Sequence, residues 1–270
     1  MSIARTVRLV ILSLILLPSL AMADKAADIK QLLDQSGFSA QVQSLPALIR
    51  TEIRYSGEIT DDNLDLILGR TDSQALPTQV ETAVEKHLFH ALGSKDIATL
   101  HKWYQSDIGQ RITREEVQAG DSSQMEAMLT QKESLLADPK RVKRIQMLDQ
   151  LTGTTDTALA LHRYSSSAVK QALQQALSAQ TSDNTKDVNS PAIAEPADTR
   201  AAIEQRVTLA FLYAYRNLDD DTLSRYEAHL KSPAARHFNN ALHGGLSTGV
   251  RTIIDNWADE LAAALTETSN

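Results

Sequence analysis

The stretch Asp96-Ile97-x-x-Leu100-x-x-x-Tyr104-x-Ser106 is met again, 126 positions on, as Thr222-Leu223-x-x-Tyr226-x-x-x-Leu230-x-Ser232. Apolar residues recurring at intervals of three and four turn one helical face to a core, and the closing Ser can cap a following helix. Two more blocks recur in the same order. Ile29-x-x-Leu32-x-x-x-Ser36-Gly37 returns as Ile145-x-x-Leu148-x-x-x-Thr152-Gly153, and Val80-Glu81-x-x-Val84-x-x-x-Leu88-x-x-Ala91 as Ile203-Glu204-x-x-Val207-x-x-x-Phe211-x-x-Ala214. The spacing widens from 116 to 123 to 126 positions, as insertions in loops would make it do. The expectation is an all-α protein of two tandem, similar multi-helix units, 24–140 and 141–270, packed as a pseudo-repeat without a sheet.

Composition agrees with helix. Ten Gly and seven Pro in 270 residues are few breakers. The sequence predicts helices over about 24–36, 42–53 with a kink or a restart at Pro46, 60–68, 77–91, 94–106, 106–120 and 121–137. Ser94 is expected to cap one of them, and Asp138-Pro139 to break the chain. Further helices are expected from 142 to 151, over 158–177, and over 200–217, 221–231, 233–243 and 248–266. Residues 181–199, with Pro191 and Pro196 among Asn, Ser and Asp, read as a flexible loop.

The first 23 residues read as a secretory signal peptide. Arg5 and Arg8 precede the apolar run Leu9–Leu20, and Ala21-Met22-Ala23 is a small-x-small cleavage site. The run is too short to span a bilayer, so a protein of the bacterial periplasm is expected. Loss of Arg5 and Arg8 takes the formal net charge from −7 to about −9. An acidic chain disfavours nucleic acid as a partner. Zero Cys excludes disulfides, thiolate metal sites and cysteine nucleophiles.

The two Ser junctions carry the strongest local signal. Each reads as a sharp helix–helix corner, capped by Ser106 or by Ser232-Pro233, with Tyr104 or Leu230 inside the bend and Gly109 or Ala235 beyond. The run Leu100-x-x-Trp103-Tyr104-x-Ser106-x-x-Gly109-x-x-Ile112 resembles the L-x-x-F-Y-x-S-P-x-G signature of an exported bacterial family known only as a domain of unknown function. The resemblance implies a mostly helical periplasmic fold and no catalytic residue. Asp107 stands where that family usually has Pro, and the second copy departs further, with Tyr226 for Leu100 and Ala235 for Gly109.

Candidate chemistry is sparse. Gly245-Leu246-Ser247-Thr248-Gly249 matches the G-x-S-x-G pattern of a serine hydrolase, but a nucleophile elbow needs a strand before it. Gly244 or Gly245 as a helix stop, with Ser247 or Thr248 as the next cap, accounts for the same letters. His87 and His90, near Glu85 and His101, are weak candidates for a divalent metal, although copy two has Ala210 and Tyr213 at the matched places. Lys140, Arg141, Lys143 and Arg144 form a dense basic run, read as a solvated helix face or as a contact for anionic envelope surfaces. Trp103 and Trp257 sit at apolar helical positions and read as core. No cofactor is expected. The sequence favours a non-enzymatic protein- or peptide-binding factor of the envelope, over a small-ligand or metal-binding protein and over a hydrolase using Ser247.

Overall fold

A computed structural model describes residues 17–47, 75–164, 166–167 and 197–267. The predicted helix over 60–68, residues 48–53 of the one over 42–53, most of the one over 158–177, residues 181–196 of the expected loop and most of the signal region lie outside the described residues; 197–199, expected to end that loop, are helical. The fold is all-α, and no strand occurs among the described residues. No helix there is long and apolar enough to cross a membrane.

In chain order the helices are α1 (Leu17–Gln35), α2 (Phe38–Val42), α3 (Ala75–Ala91), α4 (Ser94–Tyr104) and α5 (Asp107–Ala119). A 3-10 turn at Ser122–Gln124 leads to α6 (Met125–Thr130) and α7 (Lys132–Leu136). Then come α8 (Pro139–Thr152), α9 (Ala197–Ala214), α10 (Asp220–Leu230) and α11 (Pro233–Glu267). Residues 154–164 are also helical.

Three local expectations are corrected. Ser94 is the first residue of α4 rather than its cap; Gly93 holds the cap position, with no side-chain bond. The single helix expected over 121–137 is broken into the 3-10 turn, α6 and α7, and neither α6 nor α7 has a fully buried side chain. Without a buried face, little holds successive turns in one register. The helices expected at 233–243 and 248–266 are one unbroken helix, α11. Gly244, Gly245 and Gly249 neither stop nor restart it. They let α11 lie close on α3: a Cβ at Gly245 would sit 2.5 Å from Val84 Cα, and one at Gly249 2.8 Å from Val80 Cα. Each Gly costs about 1 kcal/mol of helix propensity against Ala, offset by the packing that the close approach permits.

The matched elements are built alike. α4 and α10 are both 11 residues long, with boundaries 126 positions apart. Gly37 (φ 77°) and Gly153 (φ 69°) are the only positive-φ residues among those described. They end α1 and α8 in the left-handed conformation that Gly adopts most readily. A Cβ on Gly37 would lie 2.6 Å from Val117 Cγ2, and one on Gly153 3.0 Å from His243 Nε2. Val117 and His243 are again 126 positions apart.

The two main cores do not follow the order of the chain. In the first, Ile29, Leu32 and Leu33 of α1, Val80, Val84 and Leu88 of α3, and Ile97 and Leu100 of α4 meet Phe238, Val250 and Ile253 of α11. In the second, Ile145 and Leu148 of α8, Leu212 and Tyr215 of α9, and Leu223, Tyr226 and Leu230 of α10 meet Ile112 of α5. The helix that closes each set thus lies against the helices of the other: α11 on α3 and α4, α5 on α9 and α10. Polar contacts repeat the exchange. Arg111 of α5 donates to the Asn217 carbonyl (2.8 Å) and approaches Asp219 at the start of α10 (4.0 Å). His237 of α11, 126 positions later, bonds Asp96 in the first turn of α4 (2.9 Å). Each fully buried Leu or Ile stabilises this arrangement by about 1.5–3 kcal/mol.

Candidate functional site

The two sets of helices meet at an aromatic cluster. Trp103 of α4 lies flat on His229 of α10, ring centroids 4.1 Å apart and 5° from parallel. Tyr226, one helical turn before His229, is parallel to Trp103 at 6.2 Å. Tyr104 meets His229 edge-on at 6.2 Å and Phe238 at 6.0 Å. Burial among these rings lowers the His229 pKa to about 4, because a charged imidazolium cannot be hydrated there.

Beside the rings, Glu116 of α5 reaches between α9 and α10. Its Oε1 accepts hydrogen bonds from the Tyr215 hydroxyl (2.6 Å) and the Tyr226 hydroxyl (2.8 Å). Desolvation raises the Glu116 pKa, and the two tyrosine bonds only partly offset it. Tyr215 and Tyr226 are held well above the ordinary tyrosine value, first by burial and then by the Glu116 charge. Tyr104 is raised for the same two reasons. Perturbed titrating groups gathered at one place mark a candidate site on physical grounds.

Counterpart positions sharpen this. Glu116 and Tyr226 correspond, at 126 positions, to Leu242 and Leu100, and Tyr215 corresponds, at 123, to Leu92. Leu92 and Leu100 are buried in the first core, and Leu242 packs against it. One core closes with three leucines where the other holds a carboxyl and two phenols. Polar groups cost free energy in a core unless they bond one another, and here they do.

The corner residues are brought to two similar junctions. Ser106 Oγ donates to the Trp103 carbonyl (2.6 Å) and accepts from the Gly109 amide (3.1 Å). Ser232 Oγ accepts from the Ala235 amide (3.2 Å), with Pro233 opening α11. A Cβ at Gly109 would lie 2.1 Å from the Trp103 carbonyl oxygen, so the first corner is the tighter. Tyr104 packs against the first core, and Leu230 is buried in the second.

The remaining candidates are placed as follows. His87 lies beside Gly244, and its Nε2 is 3.3 Å from the Thr248 hydroxyl. His90 is exposed and stands edge-on to Phe89. His101 pairs through Nδ1 with Gln35 (2.8 Å). Glu85 is raised by partial burial and by Glu81. No group of three metal-ligating side chains forms among the described residues. Ser247 sits in the interior of α11 rather than on a turn after a strand, so its hydroxyl lacks the strained geometry of an elbow.

In the basic run, Arg141 donates to the carbonyls of Tyr215 (2.6 Å) and Leu218 (2.7 Å), and Arg144 to Asp220 Oδ1 (2.8 Å). Lys140 and Lys143 point outward as exposed residues. An open groove of about 600 Å³ between α3 and α11 is lined by Thr78, Thr82, Gly249, Thr252 and Asn256. The Thr82 and Thr252 hydroxyls donate to carbonyls of their own helices.

Compared with family models, with curated proteins and with solved structures, the chain matches none. The Glu116 cluster escaped the sequence reading. One Glu of the adjacent pair Glu115-Glu116 has no periodic signature, and Tyr215 and Tyr226 sit at positions that any large core residue fills. The available clue was the pairing of Leu92, Leu100 and Leu242 with three polar counterparts.

Proposed function

We propose that this chain is a duplicated helical unit, each copy closed by the helix that follows the other's Ser junction (α5 or α11), and that it serves as a non-enzymatic protein- or peptide-binding factor of the cell envelope. The duplication is supported by the matched helix lengths, the paired left-handed glycines and the reciprocal Arg111 and His237 contacts. Export to the periplasm rests on Arg5, Arg8, the apolar run to Leu20 and the Ala21-Met22-Ala23 site. The two sets of helices meet at the Trp103–His229 stack.

The observation that carries binding is the segment 121–136. Its helices bury no side chain fully: Leu135 and Leu136 rest on the second core, while Met125 (51%) and Leu129 (55%) are exposed. Unbranched, polarisable Met suits a surface that adapts to several peptide partners. The test is recovery of partners from periplasmic extract by the intact protein and by a Met125→Glu/Leu129→Glu variant of unchanged melting temperature. Specific partners that the variant loses support the reading. Equal recovery by both, or nothing above background, contradicts it.

A further inference from the structure

Beside the second core lies a titrating group whose counterpart in the first is a leucine. Glu116 belongs to α5, the helix lent to α9 and α10, and its Oε1 is the shared acceptor for one hydroxyl from each of those helices. The leucines at the corresponding places in the first core show that the same packing closes without a carboxyl. We propose that Glu116, Tyr215 and Tyr226 form a proton-binding site that fastens α5 onto α9 and α10 when the carboxyl is protonated and loosens it when the carboxyl ionises.

The surroundings of Glu116 support one direction only. The groups facing it are hydroxyls: Tyr104 from α4, Tyr215 from α9 and Tyr226 from α10. Neighbouring cations are occupied elsewhere. Arg111, on α5 itself, is engaged at Asn217 and Asp219. On α8, Arg141 and Arg144 are engaged at Tyr215 and Leu218 carbonyls and at Asp220. His229 of α10 is neutral above about pH 4. An anion at Glu116 therefore has two phenol donors and no counter-charge among the described residues, and burial outweighs those donors.

The sign follows from linkage. Because the folded pKa is raised, the docked state holds the proton through a window in which the undocked state has released it. Docking is therefore strongest below the ordinary carboxylate value and weakens as pH rises through the folded value. On ionisation the proton leaves to solvent and both tyrosines keep theirs. The raised tyrosine values mean that the phenols do not compete in this range.

The experiment is amide hydrogen exchange of α5 in the full-length protein across pH, corrected for intrinsic exchange, with Glu116→Gln and Tyr226→Phe. The wild type is expected to lose protection by up to about tenfold per pH unit across the transition, the limit for one proton. Glu116→Gln keeps His229 and every other titrating group and should lack that component. Glu116→Leu, which copies Leu242, should lack it too if the Gln variant folds poorly. Tyr226→Phe removes a bond that favours the anion, so it should move the transition to higher pH. The same profile in wild type and in Glu116→Gln or Glu116→Leu overturns the proposal, as does an unmoved transition in Tyr226→Phe.

Discussion

Trp103 and His229 face one another ring on ring at 4.1 Å, and each holds in its own run of helices the place that the other holds 126 positions away. Under the duplication proposed above, matched residues that touch each other would lie on the axis of a two-fold arrangement, as they do at an isologous dimer interface.

The low His229 pKa gives a pH prediction. A base whose folded value is depressed stabilises the fold above its ordinary value of 6.5, and that contribution is lost as pH falls through about 4. His229→Phe, which keeps the stack but cannot be protonated, should lower the loss of melting temperature between pH 6.5 and pH 4 relative to the wild type. An unchanged acid slope would show that His229 is not held neutral by burial.

Gly245 predicts a packing cost. Ala there would place its Cβ 2.5 Å from Val84 Cα, against backbone that cannot swing aside. Gly245→Ala should destabilise by about 1–3 kcal/mol despite its better helix propensity, measured by urea unfolding. Gly244→Ala meets only the His87 side chain, at 3.0 Å, and should cost less. Equal stability of Gly245→Ala and wild type would contradict the close α3–α11 crossing.

The basic run divides into two kinds of residue. Arg141→Ala strips two buried carbonyls of a charged donor and should cost about 1.5–3 kcal/mol. Lys143→Ala, on the exposed side, should change stability by no more than about 0.5 kcal/mol. The comparison is read from denaturant midpoints at a common slope.

The two corners should respond alike. Ser106→Ala and Ser232→Ala each remove the cap of the following helix, at about 0.5–2 kcal/mol apiece. Gly109→Ala should cost more than either, since its Cβ falls on the Trp103 carbonyl. Thermal unfolding of the three variants checks the order.

Much of the architecture was legible because it rests on periodicity. Ile97, Leu100, Leu223 and Tyr226 fall at helical spacing, and all four are buried. The two Ser junctions were equally readable, since a cap is a local hydrogen bond between residues three apart. The unbroken α11 was not. Gly244, Gly245 and Gly249 look like punctuation until the helix they touch is known, and Val80 and Val84 lie more than 150 positions away. The exchange of α5 and α11 was hidden for the same reason: an amphipathic face states that it is buried, not against what. The Glu116 cluster joins residues about a hundred positions apart and was invisible to any local pattern.

Whether each closing helix lies in the other set's core is read out by site-directed cross-linking. The chain has no Cys of its own, so paired cysteines report unambiguously. Arg111→Cys/Asp219→Cys joins α5 to the start of α10, and Thr82→Cys/Thr252→Cys joins α3 to α11 across their shared groove. With a short bismaleimide, both pairs should give an intramolecular cross-link in the monomer, mapped by mass spectrometry to the two engineered positions. Cross-links only between molecules, or none in either pair while the proteins remain folded, would contradict the exchange.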